Sequence, residues 1–163
     1  MTSKGTRRDT PPPGIGGGEK DMLTGFLDYL RESAAAKVDG TPEPQVREAG
    51  VASGTNVLGL LKHLTNVERF MFLGDDVSDW PATFHADADE TVESVISDYR
   101  AAVAQANEAI AACDDLDSPC ARPARKGGSP SMRWALVHMI EETGRHAGHL
   151  DILRELIDGA TGR

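Results

Sequence analysis

The chain has 163 residues, 39% of them hydrophobic, and a formal net charge of -9. That length suits one domain with a core of its own, and the acidic surface repels phosphate backbones and anionic lipid, which argues against nucleic acid and membrane surfaces as partners. No run approaches the roughly 20 consecutive apolar residues of a membrane span, and Arg7-Arg8 is followed by Pro and Gly rather than an apolar signal region, so a cytoplasmic protein is expected.

Residues 1–18, with Pro11-Pro12-Pro13 and Gly16-Gly17-Gly18, offer almost no apolar side chains to offset the entropy of ordering them and read as a flexible arm. Its Lys4, Arg7 and Arg8 read as solvated charges. The domain proper is expected over residues 19–163. From Glu19 to about Val38, Met22, Leu23, Phe26, Leu27 and Leu30 recur at three and four, the helical period. Gly40, Pro42, Pro44 and Gly50 then break the pattern and predict a long connection.

A second helix is expected from an N-cap at Thr55 to about Leu73, with Val57, Leu60, Leu61, Leu64, Val67 and Met71 as its stripe. Gly74-Asp75-Asp76 stops it. The next loop carries Trp80-Pro81 and Phe84, bulky groups that suggest a segment folded over the bundle as a lid. Asp89 can cap a third helix, in which Val92, Val95, Ile96, Tyr99, Val103, Ala106 and Ile110 share a face to about Cys113. Cys113 and Cys120 fit neither a CxxC nor a zinc spacing and read as free thiols. After a polar loop, Ser129 as N-cap with Pro130 at the first position predicts a fourth helix to about Asp158, ended by Gly159. Four helices, no strand pattern and long crossover connections point to an all-α four-helix bundle.

On a helical wheel the apolar arc of the last helix is centred among Ala135, Met139, Leu150, Leu153 and Ile157, and Glu142 and His146 fall inside it. A buried unpaired carboxylate is costly, so Glu142 needs a proton, a counter-charge or a metal. Its spacing of four from His146 lets both side chains converge on one ion, although a buried hydrogen-bonded pair satisfies the same pattern. His63, on the flank of the second helix beside Phe70, is the candidate third ligand, or else a packing histidine. His149 is the rival ligand one turn on, and His138 could support Glu142 from behind. His85 falls in a loop, while Arg145 and Arg154 read as pairing residues.

Gly59-Leu60-Leu61-Lys62-His63-Leu64 with Val67-Glu68-Arg69, and His138-Met139-Ile140-Glu141-Glu142 followed by Arg145-His146-Ala147-Gly148-His149 and Asp151, resemble the actinobacterial branch of the DinB/YfiT-like proteins. The similarity runs from about Lys20 to Asp158. It implies a DinB-like bundle, commonly a homodimer, that holds zinc, nickel or a similar divalent ion through one histidine of the second helix, here His63, and two residues of the last, here Glu142 and His146. Many relatives have histidine in place of Glu142, whereas the mycothiol-dependent maleylpyruvate isomerase branch also uses glutamate. Relatives often have glutamine where this chain has His149.

The resemblance implies a thiol-dependent transferase or isomerase, in which the ion activates a low-molecular-weight thiol for attack on an electrophile; the Ala, Gly, Arg and Asp bias suits mycothiol as that thiol. The alternative is a metal-containing bundle that binds a small ligand or a protein partner without turning it over. A third reading is a bundle whose histidines only pack.

Overall fold

The computed structural model describes residues 10–14 and 16–162; Lys4, Arg7 and Arg8 of the expected arm lie outside them. Four α-helices account for most of the chain, and no β-strand occurs among the described residues: α1 (Glu19–Val38), α2 (Val57–Glu68), α3 (Val92–Ala111) and α4 (Met132–Asp158). This is the all-α bundle that the hydrophobic periods predict, and its three connections are all long.

Cross-helix contacts give the topology. Glu19 pairs with Arg133, a Cβ on Gly144 would lie 3.5 Å from Leu30, and Lys37 pairs with Asp151, so α1 and α4 run parallel. Lys20 donates to the carbonyls of Ala111 and Cys113 while Arg31 reaches Asn107, which makes α3 antiparallel to α1. Ala34, Ala35 and Val38 share a core layer with Val57, Leu60 and Leu61, while Leu27 shares the other with Val67 and Met71, so α2 also opposes α1. The directions are therefore up, down, down, up, and α2 must return along the whole bundle before α3 can start. Residues 69–91 make that return.

The core forms two layers. One gathers Val57, Leu60, Leu61 and Leu64 against Val95, Ile96, Tyr99, Leu150 and Leu153; the other sets Leu27, Val67 and Met71 against Ala106, Ile110, Leu136 and Met139. Every member of the expected α2 stripe is buried. The α1 stripe is displaced, because Met22 is 51% and Phe26 38% exposed. The inward face of α1 is instead Leu27, Arg31, Ala34, Ala35 and Val38. Small alanines there let α4 approach closely.

Arg31 lies on that inward face, 2% exposed. Its Nε and Nη2 donate to Glu68 Oε1 and Oε2 at 2.7 and 2.6 Å, and its Nη1 donates to Asp28 and Asn107, each at 2.8 Å. Burial pushes the Glu68 carboxyl up and Arg31 opposes the shift. The bidentate geometry supplies partners for charges that the core otherwise could not hold.

Three helix starts lie slightly downstream of their expected positions. The α2 cap is Asn56, whose side chain accepts from Gly59 N at 2.8 Å, while Thr55 bonds to Ser53. The α3 cap is Thr91 rather than Asp89, in a reciprocal pair with Ser94. The α4 cap is Ser131, because the N–H groups of Met132 and Arg133 are taken by the carbonyls of Ser118 and Leu116 in the preceding loop. Ser129 instead donates to the Arg122 carbonyl at 2.7 Å. Asn, Thr and Ser are comparable caps, so local chemistry alone does not choose among neighbours.

Candidate metal centre

α2 continues beyond Glu68 as one π-turn, Arg69–Leu73, and ends at Gly74 in the left-handed region with φ 79°. The chain then doubles back, and a 3₁₀ turn, Pro81–Phe84, lies across α2 beside His63. Gly59 permits this approach: a Cβ at that position would sit 1.9 Å from the carbonyl oxygen of Phe84. The segment expected to fold over the bundle therefore does so on a glycine of α2.

His63, Glu142 and His146 converge between α2 and α4, with one donor atom from each inside a span of 4.8 Å. Glu142 Oε1 is 3.2 Å from His63 Nε2 and 3.1 Å from His146 Nε2. Both histidines are buried and Glu142 is partly exposed. His146 foremost, and then His63, holds the Glu142 carboxyl far below the usual carboxylate range. An ionised carboxylate thus faces two imidazole nitrogens.

The partner of the other His63 nitrogen decides what that arrangement can do. Thr83 Oγ1 donates to the Trp80 carbonyl at 2.6 Å, which leaves only its lone pairs for His63 Nδ1, 2.8 Å away. Nδ1 therefore carries the hydrogen, and in the neutral ring Nε2 is a bare acceptor aimed at a carboxylate. Two acceptors facing each other require a positive charge, either an added proton or a metal ion. The separations of 3.1 and 3.2 Å suit a proton shared as a hydrogen bond and also a metal ion, since donors around a tetrahedral zinc with bonds near 2.0–2.1 Å lie about 3.3 Å apart. By donor type and spacing, the three residues fit a divalent ion.

Surrounding groups dry and fix the site. The Phe84 ring stacks on His63 with centroids 3.8 Å apart and planes at 13°, and Trp80 meets the same ring edge-on at 5.9 Å. His149 is exposed and its Nδ1 lies 3.3 Å from His146 Nδ1, so it contacts the far nitrogen of His146 and stands outside the three-donor cluster. His138 lies apart from Glu142's partners, with Nδ1 3.4 Å from Glu141 and its ring stacked on Trp134. Arg145 pairs with Glu141, and Arg154 donates to the carbonyls of Lys37 and Asp39 at the end of α1.

His85 is exposed in its loop. Cys113 and Cys120 are free thiols away from the cluster. Thr83, which bonds to His63, is the neighbour of the cluster that the sequence does not signal. A threonine in a loop carries no periodic signal, and only the bulky neighbours Trp80 and Phe84 hint that its segment is folded inward.

Comparison with known proteins follows the same line. Residues 22–159 match the family model described as MST: Mycothiol-S-transferase. No curated protein matches the chain. Among solved structures, the fold resembles that of a conserved protein from Enterococcus faecalis, with a TM-score of 0.67 and 14% sequence identity over 88% of this chain and 99% of that one.

Proposed function

The chain belongs to the mycothiol-S-transferase family, a DinB/YfiT-like family, and from that premise we propose that it transfers a low-molecular-weight thiol, mycothiol, to an electrophilic carbon at a divalent-metal site held by His63, Glu142 and His146. The observation that carries this reading is the three-donor cluster in which Thr83 leaves His63 Nε2 free to bind a cation.

Held by His63, Glu142 and His146, a divalent ion of the zinc or nickel type would supply Lewis acidity there, favouring the deprotonated form of a thiol near neutral pH. His63 and His146 position that charge, and Glu142 offsets part of it. Phe84 and Trp80 cover His63 and limit access of water to the reacting sulfur. The S–H bond breaks with its proton passing to solvent, and a C–S bond forms. In a substitution the leaving group departs with the electron pair of its former bond to carbon. No protein nucleophile is required.

The test combines metal-supplemented protein, mycothiol and monochlorobimane. Thiol-dependent conjugation that is lost in His63→Ala supports the transferase. A rate no greater than that of His63→Ala, with metal still bound to the wild type, would instead favour a bundle that binds without turnover.

A further inference from the structure

Among the described residues, Arg122 belongs to no ion pair of this acidic chain. Among the described residues its guanidinium has no carboxylate within pairing distance, and its N–H groups take no protein acceptor. It lies instead between two rings, 5.7 Å from the centre of Phe70 and 5.5 Å from that of Trp134. Such contacts hold the guanidinium in place while leaving its hydrogen-bonding edge for an outside acceptor.

The position of this cation is fixed by backbone. Gly74, at the left-handed end of α2, stands close to the next connection, where a Cβ would be 3.0 Å from the Ala121 carbonyl. Ser129 bonds to the carbonyl of Arg122 itself. Residues 121–133 also carry Arg122, Arg125, Lys126 and Arg133 and no acid, in a protein of net charge -9. Arg133 is paired with Glu19 and Asp117, and Asp75 and Asp76 follow Gly74, so among the described residues Arg122, Arg125 and Lys126 are the cations of this run outside ion pairs.

Arg122 lies in line with the metal centre. On α4, Trp134, His138 and Glu142 follow one another at intervals of four, and Trp134 stacks on His138 with centroids 4.8 Å apart. Eight residues of helix separate Trp134 from Glu142, about 12 Å along the axis. On α2, Phe70 is seven residues beyond His63, and Trp80 spans the two with ring contacts of 5.1 and 5.9 Å. Two antiparallel helices thus carry an aromatic strip with the three-donor cluster at one end and an unpaired arginine at the other. Trp134 is 45% exposed, so the strip opens to solvent.

We propose that Arg122 is a specificity-determining residue that binds a carboxylate on an elongated substrate, with the apolar body of that substrate lying on Trp134 and Trp80 and its reacting end at His63, Glu142 and His146. The assignment of the reacting end rests on the transferase reading; the anion site does not. A carboxylate matches the planar fork of the guanidinium and can accept two hydrogen bonds from it.

The test uses 8-bromooctanoic acid and its methyl ester, which differ in charge at the end remote from the reacting carbon. The chain's two tryptophans, Trp80 and Trp134, both lie on the strip, so their fluorescence reads binding with or without added zinc and without thiol. Arg122→Met keeps an apolar stem between the rings and should raise the Kd and KM of the acid roughly 10-fold or more, the scale of a lost charge-assisted pair, with much less change for the ester and little in kcat. Arg122→Lys should restore part of the acid's affinity.

Equal weakening of acid and ester, or of neither, overturns the proposal. Arg122-dependent binding of the acid without any thiol-dependent product upholds the anion site and removes the transferase reading. A third comparison, mycothiol against the dicarboxylate thiol glutathione, identifies the source of the anion. A KM change confined to glutathione assigns the Arg122 site to the thiol, and a change confined to the acid assigns it to the acceptor.

Discussion

Thr83 has one hydroxyl proton and gives it to Trp80, so replacing that hydroxyl by a methyl group removes the acceptor that sets the His63 tautomer. Thr83→Val should weaken metal binding by roughly 10–100-fold while leaving the fold intact, as measured by competition with a chromogenic chelator. Unchanged affinity would mean that Nδ1 is held by something else. Glu142 sets the charge of the site in the same local way. Glu142→His would raise the net charge and make a bound thiol more acidic, so the acid limb of the rate profile should move to lower pH. In metal-stripped protein the depressed Glu142 pKa makes the ionised carboxyl stabilising above its unfolded value near ~4.3, with that contribution lost as pH falls further. Acid titration of stability should accordingly be steeper for the wild type than for Glu142→Gln. Glu142 and His146 were legible from their place on an apolar arc, because two polar groups four apart on a buried face demand a reason. His63 was only a flank position, since its role depends on Thr83, twenty residues away in a segment without periodicity.

Among the elements, the return segment between α2 and α3 does the most to shape the site, and it was the least readable. Its Trp80, Pro81 and Phe84 signalled inward packing, but the place where they land depends on Gly59, whose lack of a Cβ is felt only once the Phe84 carbonyl is beside it. Gly59→Ala should cost about 1–3 kcal/mol through overpacking and lower metal affinity by moving Thr83 away from His63. Thermal unfolding and the chelator competition read the two effects separately; an alanine variant with wild-type stability and affinity would contradict the contact. Helix interiors were legible because burial imposes a period. Their starts slipped because Thr55, Ser129 and Asp89 each have an equally suitable cap one or two residues downstream, and tertiary hydrogen bonds decide between them.

Over the whole molecule, the up, down, down, up order places α2 beside α4 and so brings His63 to Glu142 and His146. The number of helices and the long connections followed from Gly and Pro placement, while the parallel pairing of α1 with α4 did not, because hydrophobic periods specify a face and not a neighbour. Arg31 and Glu68 tie α1 to α2 in that arrangement. Glu68→Ala should destabilise the fold by about 3–5 kcal/mol by leaving a buried guanidinium unpaired, whereas Arg31→Met with Glu68→Leu should recover most of the loss. Urea unfolding of the three proteins distinguishes a pairing role from simple loss of volume.

The central claim is that His63, Glu142 and His146 act together as one metal centre, and elemental analysis by mass spectrometry tests it most directly. Wild-type protein and the variants His63→Ala, Glu142→Ala and His146→Ala would be purified from metal-supplemented medium and analysed without added chelator. About one equivalent of zinc or nickel per wild-type chain is expected for a single centre, with a marked fall in every variant. Wild-type protein without stoichiometric metal, or variants that retain as much as the wild type, would contradict the account.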